Sequence, residues 1–231
     1  MYNISYKLIR QKRKTLTISV VDGNPIVKAP LKLQKEEIDK FVALKSKWII
    51  SKIDAYYKRY HRFCAILNGE SFILDGQMIE AQYVKTSKII LEENSESNES
   101  TKLLIPVVLQ QDTQKFAKAL KRFFVKLALE KLTQRATYLA GILQANITNI
   151  SLSNASTRWG SCDAKKNIRL NWRLILLPQY LQDYVIIHEL CHSFYLNHSP
   201  VFWNLVAHYI PNYKSLKSEL KEYSLLIKYL K

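Results

Sequence analysis

His188-Glu189-Leu190-Cys191-His192 constrains this chain more than any other stretch of it. The pattern H-E-x-x-H acquires chemical meaning on a helix, where residues 188 and 192 lie one turn apart and their imidazoles stand on one face. Two imidazoles stacked that way can grip one side of a tetrahedral Zn2+. Glu189 adjoins the first of them, where a carboxylate that does not bind the metal can take a proton from a water the metal activates. The x positions, Leu190 and Cys191, are apolar, as a buried metal helix needs. Any fold of this chain must therefore bury that helix and bring a further donor to it.

Three residues compete to be that donor. The first acidic residue after Glu189 is Glu219, far downstream. His198 lies ten residues after His188, the separation found in H-E-x-x-H-x-x-G-x-x-H sites. Tyr195 occupies the place of the Gly that turns the chain in that pattern. The spacing therefore agrees and the turn chemistry does not, and His198 is favoured over His208, which reads as a helix-surface residue. Cys191 follows Leu190 off the ligand face and reads as a small core residue. Cys162 can approach the site if its strand lines it, and otherwise reads as a buried structural thiol.

Three protein ligands leave a fourth position open to water, the mark of a catalytic rather than a structural zinc site. Glu189 would accept the proton of that water and pass it to a leaving amine, which makes amide hydrolysis the first reaction to consider. Arg158, Arg173 and Tyr195 are candidates to stabilise the oxyanion. A zinc hydrolase of a small anionic substrate such as a nucleotide is the alternative. A nucleic-acid-binding protein with a structural zinc is a third reading, and Glu189 argues against it, because a structural site needs no base.

Composition narrows the setting. Of the 231 residues 48% are hydrophobic and 23% charged, the balance of a globular protein with a real core. Three widely spaced cysteines, Cys64, Cys162 and Cys191, do not form a disulfide framework. Residues 1–10 carry no signal-peptide pattern, and no apolar run approaches the roughly 18 residues that span a bilayer. A cytoplasmic protein with no membrane association is expected. The net charge is +16, with 17 cationic and 12 acidic side chains in residues 1–100 and 18 and 7 in residues 101–231. That suits a nucleic acid, a nucleotide or an acidic protein, but the lysines are scattered, as on a solvated surface.

Periodicity predicts strands over 2–30 with a turn at 21–25, and one helix over 34–60 ending in Tyr56, Tyr57 and Tyr60 among Arg59 and Arg62. Strands follow over 67–91, with Asn68-Gly69 and Asp75-Gly76 as hairpin dipeptides. A polar acidic loop at 92–101 precedes another strand run at 103–109. A long helix over 112–143 is capped by Asp112 or Thr113. Residues 147–177 read as a hairpin, with a turn at 163–167. A helix starts near Pro178 and runs through the His motif to Asn197; Ser199-Pro200 caps and opens the next, and residues 213–230 form the last. The fold class is α+β: a β-rich region with one helix over 1–110, then a helical core with a β-hairpin over 111–231.

Arg158-Trp-Gly-Ser-Cys162, Leu170-Asn-Trp-Arg-Leu174, His188-Glu-Leu-Cys-His192, Asn197-His-Ser199 and Phe202-Trp203 together resemble the YgjP-like metallopeptidase domain. Thr15-Leu-Thr-Ile18, Val27-Lys-Ala-Pro30 and the segment from Phe41 to Trp48 extend the likeness over nearly the whole chain, densest at 158–203. That family is similar to the SprT and Wss1 groups and, more distantly, to the M48 peptidases. The resemblance implies a zincin-like core, Zn2+ as cofactor, His188, His192 and His198 as its ligands, Glu189 as the catalytic residue and a peptide or protein substrate. It strengthens His198 over His208. Relatives of the SprT type act on proteins attached to DNA, which the basic charge fits without establishing.

Overall fold

The alternation at the start of the chain builds a small sheet closed by helices. A computed structural model describes residues 4–67, 70–93 and 101–230. Its chain divides into two compact units, Met1–Cys64 and Ala65–Lys231. In the first, β1 (Lys7–Gln11), β2 (Thr17–Val21) and β3 (Asn24–Pro30) form a sheet of order β1-β3-β2, with β2 and β3 joined as a hairpin and β1 parallel to β3. Val27 and Ala29 on its inner face pack with Ile38, Val42 and Ile49. These come from α1 (Lys35–Leu44) and α2 (Ser46–Leu67), two helices where the periodicity predicted one. The break is at Lys45, whose N–H is shared between the carbonyls of Phe41 and Val42. Lys45 and Trp48 are exposed.

In the second unit β4 (Phe72–Leu74), β5 (Gln77–Val84), β6 (Ile90–Glu92) and β7 (Lys102–Pro106) form a sheet of order β4-β5-β7-β6. Asp75-Gly76 makes the β4–β5 turn with φ of 50° and 80°, the left-handed pair such a hairpin requires. Asn68-Gly69 lies outside the described residues, and so does the 94–100 part of the acidic loop. Pro106 ends β7, so Val107–Gln111 form a 3-10 turn rather than the predicted strand. Helix α3 (Thr113–Leu143) is as predicted, with the Asp112 carboxylate accepting from the Lys115 N–H at 2.9 Å. Its buried stripe is Phe124, Ala128, Leu132, Ala136, Leu139 and Leu143.

The division at Cys64–Ala65 differs from the boundary at 110/111 drawn from the sequence. Hydrogen bonds show why strands β4 and β5 go with the C-terminal part. The Asp75 and Gly76 N–H groups donate to the carbonyls of Ile175 and Leu176, and the Gln182 amide donates to Asp75 at 2.7 Å.

The 147–177 region is also more than a hairpin. It forms β8 (Asn149–Ser153), β9 (Gly160–Cys162) and β10 (Asn167–Asn171) in the order β8-β10-β9. Only β9 and β10 make the hairpin; β8 pairs parallel to β10 on its other side. Asn171, fully buried, holds the intervening loop: its Nδ2 donates to the carbonyls of Ala155 (2.7 Å) and Arg158 (3.3 Å), and its Oδ1 accepts from the Arg173 N–H. Asn171→Ala leaves the buried Arg173 N–H and the half-buried Ala155 carbonyl without this partner, so we expect a loss of about 1–3 kcal/mol in a denaturant titration. Unaltered stability would remove Asn171 as the pin of this loop. Residues Trp172–Leu176 then form a 3-10 turn, not strand. The chain continues in α4 (Gln179–Cys191), α5 (Pro200–Tyr209), α6 (Tyr213–Leu220), a 3-10 turn (Lys221–Tyr223) and α7 (Ser224–Tyr229), where one final helix was predicted. No helix among the described residues is long and apolar enough to cross a membrane.

Candidate metal centre

Helix α4 is buried over nearly its whole circumference, with Leu181, Ile186 and Leu190 inaccessible to solvent. It stops at Cys191, six residues before the Asn197 end expected from the sequence. The N–H groups of Ser193 and Phe194 fold back on the carbonyls of Leu190 and Cys191, tightening the last turn. The His motif therefore sits at the helix end, with His192 as its C-cap. Tyr195, standing where Gly was expected, is not among the described residues with positive φ, so this turn needs no glycine. Its carbonyl instead takes the hydrogen bond of His192 Nδ1 at 3.0 Å.

That bond fixes the His192 tautomer, with the proton on Nδ1 and the lone pair on Nε2. His198 arrives from the segment before α5. The Asn197 side chain accepts from the Ser199 N–H, and Ser199 caps α5 at the Phe202 N–H, with Pro200 in the first turn as predicted. Side-chain nitrogens of His188, His192 and His198 lie within 4.8 Å of one another, and the Nε2 atoms of His188 and His198 are 3.1 Å apart. Phe202, fully buried, touches all three rings, with centroids 5.1, 4.4 and 4.8 Å away. Burial, then the charges of His192, His198 and Lys217, push His188 down to about 3; burial also lowers His192. Imidazoles held neutral keep free lone pairs, and three convergent nitrogens form a donor set that fits a divalent zinc. His208 is exposed on α5 against Tyr209, and Glu219 accepts from the Tyr180 hydroxyl at 2.5 Å; neither joins the cluster.

Glu189 is only 6% exposed. Burial, opposed by the charge of Arg158, pushes its carboxyl up to about 7. Strand β9 crosses directly over it: a Cβ placed on Gly160 would lie 2.6 Å from Glu189 Cγ and 2.7 Å from Oε1. Sequence reasoning missed Gly160. An isolated Gly in a strand signals close approach of another group, but here the strand is too short for that signal to stand out. β9 is an edge strand of its sheet. The Asn171 N–H reaches the Trp159 carbonyl and the Asp163 N–H reaches that of Asn167. Antiparallel alternation then turns the backbone groups of Gly160 and Cys162 towards the open edge.

A cleft of about 720 Å³ opens on one side of the three histidines, between Arg158-Trp159-Gly160 and the Lys217–Ser224 segment. A depression of about 260 Å³ lies on the other, lined by Ser161, Cys162 and Leu196. Cys162 thus borders the site, its thiol pushed up to about 11 by burial and by Glu189. Cys191 is fully buried. Of the oxyanion candidates only Arg158 lines the cleft. Arg173 is buried instead: its guanidinium donates to the Leu230 carbonyl and the Asn154 side chain and stacks on Trp172, so it serves the core. Tyr195 contributes its carbonyl.

The profile of the YgjP-like metallopeptidase domain matches residues 14–223, which include every residue of this cluster. The chain belongs to that family. It is thus a metallopeptidase-type hydrolase, a class that implies a bound metal ion and a peptide or protein substrate. Among solved structures, the metallopeptidase zymogen abylysin of Pyrococcus abyssi is 23% identical, over 39% of this chain and 90% of its own, with a TM-score of 0.34. No curated protein sequence matches this chain.

Proposed function

We propose that this protein is a zinc-dependent peptidase in which His188, His192 and His198 hold the metal and Glu189 is the general base. One observation carries the reading: three imidazoles converge beside a buried carboxylate, beneath the open edge of a strand. Zinc bound there supplies Lewis-acid polarisation of a carbonyl and acidifies a water molecule.

The chain's own residues do the rest. Glu189, raised by burial towards neutrality, has proton affinity suited to accepting the proton and returning it to the leaving amine. Tyr195 and Phe202 keep the imidazoles oriented. Gly160 and Cys162 offer backbone donors and acceptors to an extended peptide, which would lie antiparallel to β9, the more stable pairing. In that direction the part C-terminal to the scissile bond runs past Arg158 into the wide cleft. Three free thiols suit a reducing compartment, so we place the protein in the cytoplasm.

Incubation of the zinc-loaded protein with pooled peptides and, separately, pooled nucleotides tests the reading. Peptide products should appear; turnover of nucleotides alone would replace it with the small-anion alternative. His198→Ala should lower zinc content, read by metal analysis after dialysis. Full zinc retention would remove His198 as a ligand.

A further inference from the structure

We propose that the wide cleft beside the metal centre binds a carboxylate of the substrate, C-terminal to the bond that is cut, through Lys217, Lys221 and Arg158. This rests on the peptidase reading above. Lys217 lies in α6 and Lys221 in the turn that follows, four residues on, so both stand on one side of that segment. Arg158 faces the same cleft from the loop leading into β9.

Lys217 is held, not merely present. The Lys217 ammonium lies 4.5 Å over the Trp203 ring, and that ring also stacks with Tyr213 (5.0 Å, 16° between planes) and with His198 (5.4 Å, 25°). A cation–π contact of this kind positions the ammonium at the wall of the cleft without neutralising it. Among the residues lining the cleft the one carboxylate is Glu189, assigned above to proton transfer. Glu219, the acid nearest in sequence to Lys217, is turned away to the Tyr180 hydroxyl. Trp159, Tyr184 and Trp203 give the cleft low-dielectric walls, which focus a field of one sign on whatever enters. A carboxylate is the peptide group that matches it, either an Asp or Glu side chain or the chain's own C-terminus.

The test uses one peptide sequence made with Glu, Gln or Lys at alternate positions, each with a free or an amidated C-terminus. A charge then follows whichever bond is cut. Binding is read by fluorescence anisotropy on zinc-loaded Glu189→Gln protein, and cleavage by mass spectrometry of wild-type digests. We expect the Glu peptides to bind about tenfold more tightly than the Gln peptides, the effect of one well-placed ion pair in a partly enclosed site. Lys217→Glu with Lys221→Glu should reverse the order in favour of Lys peptides. Lys217→Arg with Lys221→Arg should keep it, and Lys118→Glu, a change of net charge elsewhere, should leave it alone. A preference confined to free C-termini assigns the chain terminus as the source; one that survives amidation assigns the side chain. Equal binding of the three peptides in both their free and amidated forms, or a preference that survives charge reversal, overturns the proposal. So does a nucleoside triphosphate that is hydrolysed and outcompetes every acidic peptide. Charge-dependent binding without cleavage would remove the peptidase reading and keep the cleft assignment; cleavage without charge dependence would do the opposite.

Discussion

Glu189→Gln should leave the zinc content of the protein at the wild-type level and lower kcat/KM for peptide hydrolysis by about 1,000-fold, within the usual range for loss of a general base. The substitution keeps the volume and polarity of the side chain in a position that is almost fully buried. What it removes is the ability to take up a proton. Glu189 points at the strand above it, not into the nitrogen cluster, which is made by His188, His192 and His198 alone. Metal retention and catalysis should therefore separate in this variant. They should fall together in His198→Ala, which takes away one of the three nitrogens. Metal analysis and steady-state kinetics on the same preparations check both. Turnover within a few-fold of wild type would sink the proposed role of Glu189.

Much of this site was legible because its signals are local. H-E-x-x-H needs only helical geometry, and Ser199-Pro200 needs only capping chemistry, so the segment bringing His198 into reach could be placed from a dozen residues. Asp112 as a cap and Asp75-Gly76 as a turn were legible for the same reason. The helix containing the motif was drawn too long because Ser193-Phe194-Tyr195 carries neither Gly nor Pro. The exit is made instead by the Ser193 and Phe194 N–H groups folding back on the carbonyls of Leu190 and Cys191, and by His192 reaching the Tyr195 carbonyl. The breaks at Lys45 and after Leu220 have no local marker either.

Non-local pairing was the larger obstacle. That β8 pairs parallel to β10 depends on a loop held by the side chain of Asn171, through contacts to Ala155 and Arg158 that no local pattern signals. Arg173 was misread too. As part of a continuing strand it would have faced outward and been free to meet a substrate. The 3-10 turn at Trp172–Leu176 rotates it into the interior, where Leu230, from the far end of the chain, receives it. The cationic wall of the cleft was invisible because Lys217 and Arg158 lie far apart in sequence and look like any other residues of a basic surface.

Gly160→Ala should cost about 100-fold or more in kcat/KM while leaving folding stability and zinc content close to wild type, the loss expected when a catalytic group is displaced by more than about 1 Å. The added methyl would sit 2.6 Å from Glu189 Cγ and 2.9 Å from Cδ, far inside van der Waals contact. Three things could yield. Strand β9 is paired at Gly160 to Leu170, which has no solvent exposure, and the Asn171 N–H anchors the carbonyl of Trp159 next to it, so the strand cannot retreat. Helix α4 cannot drop, because Ile186 and Leu190 are fully buried beneath it. The Glu189 side chain can rotate, and that movement is cheap in stability because its carboxylate can swing towards the cleft. The strain is thus relieved by the one group whose position the chemistry depends on. Thermal denaturation, metal analysis and kinetics on Gly160→Ala should show an unchanged midpoint, full zinc and the lost rate. Full activity in that variant would mean that Glu189 does its work from some other position than the one beneath β9, while loss of zinc would tie Gly160 to the histidines instead of to the carboxylate.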